Sequence, residues 1–462
     1  ISSIKDAIRE GDTYQVNYTF KLKTVVKGDC RSLFLSVQSG LKAEYAAYIE
    51  LDEWAICSFS PELFFSLNNG RLISKPMKGT AKRGLTEQDD QRQKDELSES
   101  RKNRAENIMI VDMIRNDMGR IADIGSVAVE KQFELERHPY VWQMTSTVAA
   151  SVETSVTEIF KGLFPCASIT GAPKISTMEI INRLERQPRG IYTGGIGYFT
   201  ANGDARFNVA IRTLVVDRRT GNAEYGVGSG IVWDSKTEDE YEECLMKADF
   251  LNNRQESFKI FESMLWTPQK GYFILQEHLE RLEGSAEYFG FPFELSTIQQ
   301  KLEQYESTVL SEGAKVKLLL ASDGGIEIES SSLAGVKSDN LKIGLAKEAV
   351  DSTFRFLYHK TTVREIYDNA KKQMPEFDDI IFWNEKEEIT ESTRANVVAE
   401  IDGELVTPPV SCGLLAGTFR RKLLEEGKIS EKVISVSDLK MATKIFTINS
   451  VRCWMSAYLA EE

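Results

Sequence analysis

The sequence predicts an α+β fold made mainly of antiparallel sheets. Short segments that alternate apolar and polar residues are bounded by glycine-rich turns, which is typical of strands. Long amphipathic helices separate groups of strands instead of following every strand, which argues against a repeated βαβ unit. The length of 462 residues is sufficient for roughly two to four domains.

The two halves of the chain are expected to form separate domains, residues 1–256 and 257–462. In the first we predict strands at residues 14–22, 45–51, 63–66, 71–74, 191–200, 205–217 and 224–232, and helices at 97–118, 175–185 and 237–258. In the second we predict strands at 259–265, 316–321, 341–346, 380–384, 397–401 and 444–449, and helices at 277–289 and 410–426.

The composition excludes several classes of partner. The net charge of −13 argues against nucleic acid, because binding a polyanion needs clustered lysine and arginine. No apolar run approaches the ~20 residues that cross a bilayer, so no membrane partner is expected. The chain begins at Ile1 without a signal-peptide pattern, and we interpret it as the remainder of a longer polypeptide.

The cysteines and histidines restrict the redox compartment and the metal chemistry. The six cysteines are scattered without a CxxC pair, which is typical of free thiols in a reducing cytoplasm. With only three histidines, a histidine-rich metal site is excluded. Any metal would be bound by carboxylates, which favours a hard ion such as Mg²⁺.

A first candidate site centres on Lys78, in the segment PMKGT that follows a predicted strand. A lone lysine here is usually a solvated turn residue, but Gly79 would let a ligand approach a nucleophilic amine closely. Glu62 lies at the start of another predicted strand, and two adjacent antiparallel strands would bring it close to Lys78. A glutamate beside a lysine can serve as general acid and then as general base.

Three carboxylates on predicted helices are candidate metal ligands. Glu106 lies at the edge of an apolar helix face, and Glu240 and Glu243 point in the same direction on a later helix. Such residues more often form a solvated acidic surface, but Mg²⁺ needs few protein ligands because it keeps waters. The glycine-rich run 226–230 continues as a strand, so it does not form a dinucleotide-binding loop.

Successive motifs over residues 5–255 resemble those of the chorismate-utilising enzymes, in that family's order. They are GDTYQVN, SPELF, PMKGT, AENIMIVDMIRND, SITGAPK, RGIYTGGIGY, FNVAIRTL and GVGSGIVWDS. The lysine of PMKGT resembles the aminodeoxychorismate synthases within that family. The resemblance implies a layered antiparallel α/β sandwich in which Lys78 attacks C2 of chorismate and Glu62 protonates the departing C4 hydroxyl group. Ammonia would then enter at C4 and expel Lys78.

The same resemblance implies further residues and a partner. Glu106, Glu240 and Glu243 would bind Mg²⁺ and offset the charge of chorismate. The other catalytic and substrate contacts that it implies are Thr80, Ser168, Tyr192, Arg212, Gly228, Gly230 and Lys247. Asn103 and Gln143 depart from the glutamate and histidine of some relatives. No cysteine lies in a glutaminase motif, so ammonia would come from a separate glutamine amidotransferase subunit or from solution.

A second candidate site combines Lys360, which interrupts a predicted helical stretch, with Glu391 and Arg281. Residues 260–456 resemble the class IV pyridoxal-phosphate enzymes, which include aminotransferases and aminodeoxychorismate lyase. The resemblance implies a two-lobed fold in which Lys360 binds pyridoxal phosphate and Glu391 faces its pyridine nitrogen. The phosphate-binding groups that it implies are Arg281, Gly417, Thr418, Phe419 and Ser450.

Together, the two resemblances imply 4-aminobenzoate synthesis for folate: amination of chorismate at C4, then loss of pyruvate. Two alternatives remain open at this point. One is an anthranilate synthase-like domain fused to an aminotransferase, against which Lys78 argues. The other is an inactive, shortened first domain with only the lyase active. A homodimer through the second half is compatible with the sequence, which does not itself determine the oligomeric state.

Overall fold

The computed structural model describes residues 1–249, 251, 257–309, 312–334 and 337–460, which form two compact units. The first unit contains Ile1–Arg83 and Arg92–Ser257, and the second contains Gly84–Gln91 and Phe258–Glu462. A short piece of the first half of the sequence is therefore part of the second unit. The predicted domain boundary at residue 256 lies outside the described residues.

The first unit is built from two antiparallel sheets with helices packed against them. Its strands are β1 (Gln15–Val25), β2 (Tyr45–Glu50), β3 (Trp54–Ser60), β4 (Leu63–Asn68), β5 (Arg71–Lys75), β6 (Met77–Lys82), β7 (Ala128–Arg137), β8 (Val141–Ser151), β9 (Gly171–Ala172), β10 (Gly195–Phe199), β11 (Ala205–Val209), β12 (Thr213–Asp217) and β13 (Asn222–Ile231). The helices in this part of the sequence are α1 (Ser2–Glu10), α2 (Cys30–Leu41), α3 (Glu87–Glu99), α4 (Arg101–Gly119), α5 (Val156–Leu163), α6 (Lys174–Leu184) and α7 (Thr237–Asp249), and α3 begins within residues 84–91.

The strands form a six-stranded sheet, in the order β2-β3-β12-β13-β1-β9, and a seven-stranded sheet, β10-β11-β4-β5-β8-β6 with β7 paired to β8. Every described strand pair of this unit is antiparallel. Apolar residues of α4 and α5 pack on the seven-stranded sheet, and residues of α2 and α7 pack on the other. The predicted α+β class with antiparallel layers is confirmed.

Several predicted elements of this unit are wrong in detail. The predicted strand 205–217 is two strands, because Arg212 has a left-handed conformation (φ 49°) where the chain passes from one sheet to the other. The predicted helix 97–118 is divided at Ser100, whose side chain accepts a hydrogen bond from the Asn103 N–H and starts a new helix. Residues 191–194 form a turn rather than strand. The predicted helix 237–258 is too long: α7 spans Thr237–Asp249, and residues 257 and 258 are not helical, while residues 250 and 252–256 lie outside the described part.

The second unit contains a four-stranded antiparallel sheet and an eight-stranded mixed sheet. Its strands are β14 (Lys259–Thr267), β15 (Gly271–Tyr272), β16 (Ala314–Ala321), β17 (Ile326–Ser332), β18 (Leu341–Leu345), β19 (Asp379–Trp383), β20 (Ile389–Ser392), β21 (Asn396–Ile401), β22 (Glu404–Thr407), β23 (Ser430–Glu431), β24 (Lys444–Asn449) and β25 (Cys453–Leu459). Its further helices are α8 (Leu275–Phe289), α9 (Leu295–Val309), α10 (Glu365–Gln373), α11 (Thr418–Glu425) and α12 (Val436–Met441).

The strand orders are β15-β14-β16-β17 and β20-β19-β18-β25-β24-β21-β22-β23. Each sheet has its own hydrophobic core, and α8 and α9 pack on the smaller sheet. The predicted helix 410–426 is wrong in its first part: a 3-10 turn at Val410–Cys412 ends at Gly413 (φ 99°), and α11 begins only at Thr418. No helix in the described ranges combines the length and apolar character needed to cross a bilayer.

Candidate active sites

Lys78 lies on β6, and its amino group is surrounded by charged residues predicted for the first site. Burial lowers the pKa of Lys78, and the positive charge of Lys247 lowers it further. The carboxylates of Glu106, Glu62 and Glu243 act on the same amino group in the opposite direction. The structure therefore places these charges near enough to influence Lys78, and the net direction of the pKa change is the one that a nucleophilic lysine needs.

Glu62 connects β3 to β4 and is 4% exposed. Burial raises its pKa to about 7, although a hydrogen bond from Ser168, the charge of Lys78 and the Met77 N–H lower it. Its Oε1 atom has no hydrogen-bond partner in the described part of the chain. A carboxyl group in this state can donate a proton near neutral pH.

The predicted reason for the proximity of Glu62 and Lys78 is confirmed, because β4, which Glu62 precedes, and β5, which ends just before Lys78, are adjacent antiparallel strands. Leu63 pairs with Lys75 at the end of β5, and the chain passes through Pro76 directly into β6, where Lys78 lies. This places the Met77 N–H, beside Lys78, against the carboxyl group of Glu62.

Ser168 and Thr80 have different positions relative to this pair. Ser168 lies in the 3-10 turn Ala167–Ile169 and contacts Glu62, so it can orient the carboxyl group. Thr80 is exposed, and its hydroxyl group donates to Oε1 of Gln143 at 3.0 Å. The described contacts of Thr80 are thus with Gln143 rather than with the lysine or the glutamate.

Arg212 and Tyr192 are partly buried at the start of β12 and before β10. Burial lowers the pKa of the Arg212 guanidinium group, and no described carboxylate pairs with it. The Tyr192 ring lies flat against β13, since a Cβ at Gly226 would be 2.1 Å from it. A partly buried guanidinium group without a carboxylate partner is suited to bind the carboxylate of a ligand.

Gly228 and Gly230 of β13 have no side chains, which leaves room for neighbouring side chains to pack against the strand beside Lys78. A Cβ at Gly230 would lie 2.1 Å from Nε2 of Gln15 and 3.1 Å from Nζ of Lys78. Lys247 donates to the carbonyl oxygen of Gly228 at 2.9 Å and pairs with Glu243 at 2.5 Å. Both glycines therefore allow close packing beside the reactive lysine.

Two residues of this site were missed by the sequence analysis. Gln15 is 1% exposed, and neither Oε1 nor Nε2 has a hydrogen-bond partner among the described residues. Asn107 donates to the Lys78 carbonyl at 3.4 Å and accepts from Ser146 at 2.6 Å, which orients β6. Both lie within motifs quoted above, but nothing in a single sequence shows that an amide side chain is buried beside Lys78.

The predicted Mg²⁺ ligands do not form a complete site. The charges of Glu106 and Glu243 both raise the pKa of Lys78. No described contact joins Glu240 to either of these carboxylates. Among the residues that the structure describes, no group of three histidine, cysteine, aspartate or glutamate side chains could hold a metal ion. The protein side chains alone do not fit a three-carboxylate site.

Lys360 lies between a 3-10 turn (Arg355–Leu357) and α10. Its carbonyl oxygen accepts a hydrogen bond from the Phe261 N–H at 2.9 Å, and its Nζ lies 4.8 Å from the centre of the Phe261 ring. Burial lowers the pKa of Lys360 to about 8, and the charges of Arg281 and Arg364 lower it as well. On the order of one fifth of this amine is therefore neutral at about pH 7.4, far more than for a lysine in water.

Glu391 lies on β20 and is 8% exposed. Burial raises its pKa to about 7, while hydrogen bonds from Tyr367 and the Leu415 N–H and the charge of Lys360 lower it. The Tyr367 hydroxyl group, on α10, donates to Oε1 of Glu391 at 2.6 Å. Tyr367 was not predicted, since its position in the sequence gives no indication that it would contact Glu391.

Arg281 is held in place by a buried carboxylate. Its Nε and Nη2 donate to the two oxygens of Glu262 at 2.8 and 2.6 Å, and its Nη1 donates to the Ala416 carbonyl at 3.0 Å. Although burial opposes ionisation, Arg281 and His278 hold the pKa of Glu262 at about 2. The remaining N–H groups of Nη1 and Nη2 can still bind an anion. Glu262 and His278 were also missed by the sequence analysis.

The start of α11 provides backbone N–H groups, as predicted. A Cβ at Gly417 would lie 1.9 Å from Oδ1 of Asn396, so the chain passes very close to β21 here. Thr418 and Phe419 open the helix, where N–H groups have no acceptor within the helix. The Phe419 ring packs in the core, and the Ser450 hydroxyl group donates to a carbonyl of β14 at 3.1 Å.

These groups fit pyridoxal phosphate. Lys360 is a partly buried amine with a lowered pKa, and Glu391 is a buried carboxyl group whose charge raises that pKa. Arg281 and the N-terminus of α11 supply positive potential for a phosphate group, and the Ala416 carbonyl links the two.

Two family models match the chain. Residues 1–253 match the chorismate binding enzyme model, and residues 259–458 match the model for amino-transferase class IV. The two matches fall on the parts of the sequence that carry Lys78 and Lys360, respectively.

Several known proteins are similar to the first half of this chain. Aminodeoxychorismate synthase component 1 of Klebsiella aerogenes is 39% identical over 256 residues, 55% of this chain and 56% of that protein. Anthranilate synthase component 1 of Aquifex aeolicus is 36% identical over 253 residues, 54% of this chain and 51% of that protein. The crystal structure of anthranilate synthase component I from Streptococcus pneumoniae is 32% identical with a TM-score of 0.50, covering 55% of this chain and 56% of that one. The chain spans about half, or less, of the length of the curated relatives it matches.

Proposed function

Because the chain belongs to the chorismate binding enzymes, we propose that it makes 4-aminobenzoate from chorismate in two steps. The first unit would aminate chorismate at C4 to 4-amino-4-deoxychorismate, and the second would release pyruvate from that product. The observation that carries the proposal is the pair Lys78 and Glu62, whose pKa values are lowered and raised, respectively. Covalent amination needs a neutral amine and a neutral acid at the same time.

In the first step, the neutral amine of Lys78 forms a bond to C2 of chorismate. Both ring double bonds shift, the C4–O bond breaks, and Glu62 gives its proton to the hydroxyl group, which leaves as water. Ammonia then attacks C4, both ring double bonds shift back, the bond between C2 and Nζ breaks, and Lys78 leaves as a neutral amine. The carboxylate of Glu62 takes the proton of the added ammonia, while Arg212 binds a carboxylate of chorismate.

Ammonia and magnesium belong to the same proposal. Since no cysteine lies in a glutaminase motif, a separate glutamine amidotransferase would supply ammonia. Mg²⁺ would bind to a substrate carboxylate and to the protein. Glu106 and Glu243 are its candidate protein ligands, because the charges of both carboxylates influence the pKa of Lys78. All six cysteines are unpaired, which supports a reducing compartment such as the cytoplasm.

In the second step, pyridoxal phosphate would supply an electron sink for the substrate carbanion. Lys360 would hold the cofactor, Glu391 would face its ring nitrogen, and Arg281 with the start of α11 would bind its phosphate. Because the pKa of Lys360 is lowered to about 8, its amine can take the proton from the substrate carbon near neutral pH. A homodimer through this unit remains a prediction.

Product analysis tests both steps at once. The protein is incubated with chorismate, ammonium, Mg²⁺ and pyridoxal phosphate, and we expect 4-aminobenzoate and pyruvate. Anthranilate, together with transfer of an amino group between an amino acid and a keto acid, would instead support the alternative of an anthranilate synthase fused to an aminotransferase. Pyruvate release from supplied aminodeoxychorismate with chorismate untouched would show that only the second unit is active.

A further inference from the structure

Residues 84–91 consist of a turn at residues 84–86 and the first residues of α3, and they belong to the second unit, although they follow β6, the strand of Lys78, in the sequence. The Gly84 N–H donates to Oδ1 of Asp90 at 2.9 Å, and the Leu85 N–H donates to Oδ2 of Asp89 at 3.1 Å. A Cβ at Gly84 would lie 2.0 Å from the Asp90 backbone nitrogen, so only glycine permits this turn. We call these residues the 84–91 segment.

The segment is joined through Tyr288 to His359, the residue before the lysine of the second site. The Tyr288 hydroxyl group, on α8, donates to the Gly84 carbonyl at 2.8 Å. The Tyr288 ring stacks on the imidazole of His359 with ring centres 4.2 Å apart. Tyr288 and His359 are 4% and 6% exposed, so both contacts are buried. His359 directly precedes Lys360 in the chain.

Two further contacts fix the segment on this surface. Leu85 packs on the hydrophobic cluster that contains Leu357 and Tyr358. The Glu87 carboxylate lies against α8, since a Cβ at Gly284 would be 2.4 Å from its Oε2. The backbone around Lys360 is thus held from β14, through the Phe261 N–H, and from the 84–91 segment.

We propose that the 84–91 segment positions Lys360, with Tyr288 as the positioning residue that joins the two through His359. The segment and the stacked pair would set the direction in which the lysine side chain leaves the backbone. The second site would then require a piece of the first half of the sequence, and residues 257–462 alone would not form it fully. The inference rests on the proposed role of Lys360 in binding pyridoxal phosphate.

Two full-length variants test the inference. Tyr288→Phe removes the hydroxyl group that binds the Gly84 carbonyl, and Gly84→Ala disturbs the turn without changing any residue of α8. Tyr305→Phe is the matched control for the first, because the Tyr305 hydroxyl group binds Ser330 on the exposed side of the same unit. Gly119→Ala is the control for the second, since a Cβ there meets no atom within 4 Å.

The readouts are the dissociation rate of pyridoxal phosphate and its visible circular dichroism per bound cofactor. We expect both test variants to release the cofactor about tenfold faster, as the loss of one buried hydrogen bond can produce. We also expect the dichroism amplitude to change, because the lysine holds the cofactor in a different direction, while both controls behave as wild type. Faster release with an unchanged amplitude would show a merely structural role and overturn the proposal, as would unchanged release. Wild-type protein that forms no lysine-bound cofactor would instead contradict the proposed function.

Discussion

The hydrogen bond from Tyr367 to Glu391 provides a quantitative test of the second site. Tyr367→Phe removes a donor 2.6 Å from Oε1 of Glu391 and leaves the ring in its hydrophobic cluster. Burial, reinforced by the charge of Glu391, raises the pKa of Tyr367 well above its usual value, so the hydroxyl group remains a donor throughout the accessible pH range. Its removal should make Glu391 harder to ionise.

The size of the effect follows from the strength of the bond. A hydrogen bond to a charged group contributes about 1.5–3 kcal/mol, and about 1.4 kcal/mol corresponds to one pH unit. The pKa of Glu391, about 7 in the wild type, should therefore rise by about one to two pH units. At neutral pH the ionised fraction would fall from about half to about 1–10%. If the reaction needs the carboxylate to face the pyridinium ring, pyruvate release should slow about 5- to 50-fold.

The assay is pyruvate release from supplied aminodeoxychorismate with saturating cofactor, from about pH 6 to about pH 10. Glu391 acts as an anion, so activity should rise with pH through its pKa, and the variant should recover at higher pH than the wild type. Tyr358→Phe is the control, because its hydroxyl group binds the Ser352 carbonyl in the same cluster without contacting Glu391. A Tyr367→Phe profile with the wild-type midpoint would refute the reasoning.

Four further results are expected. Lys78→Ala should abolish ammonia-dependent amination and leave pyruvate release from supplied aminodeoxychorismate intact; amination at the normal rate would contradict the covalent step. Amination by the wild type should decline above about pH 7, as Glu62 loses its proton, and at low pH, as Lys78 gains one; a rate that keeps rising through this range would exclude Glu62 as the acid. Glu243→Gln should reduce Mg²⁺-dependent turnover about tenfold or more, and activity in excess chelator would rule out the metal. With glutamine as the only nitrogen source, the purified chain should give no product, which is checked by chromatography of the reaction mixture.

The sequence predicted the class of fold because periodicity reports which faces are buried, but it could not predict where strands change sheet. The alternating pattern of residues 205–217 continues across Arg212, since both β11 and β12 have one face buried. The change of sheet depends on the left-handed conformation of Arg212, for which no local signal such as glycine exists. This same change of sheet places the Arg212 side chain at the candidate carboxylate site.

The sequence alone could propose the reactive residues of the candidate sites. It could not predict the residues that contact and support them. Lys78 lies in one of a series of motifs whose order along the chain is specific, and Lys360 was singled out by its combination with Glu391 and Arg281. Tyr367 and Glu262 act through contacts made across long sequence separations, such as the bond from Arg281 to Glu262 between α8 and β14. Gln15 lies against Gly230, which is still more distant in the sequence. A single sequence contains no information that distinguishes these buried polar residues from exposed ones.

Each site pairs a lysine with a carboxyl group. The hydrogen-bond partners of that carboxyl group influence whether it is a neutral acid or an anion. In all four groups burial is the largest cause of the pKa change, and it moves each pair towards its neutral form. Oε1 of Glu62 has no hydrogen-bond partner in the described part of the chain, so this carboxyl group can keep a proton for the leaving hydroxyl group. Oε1 of Glu391 instead accepts a hydrogen bond from Tyr367, which favours the anion that a protonated pyridine ring requires. Both carboxyl groups have a pKa of about 7, and the Tyr367 hydroxyl group shifts Glu391 towards its anionic form.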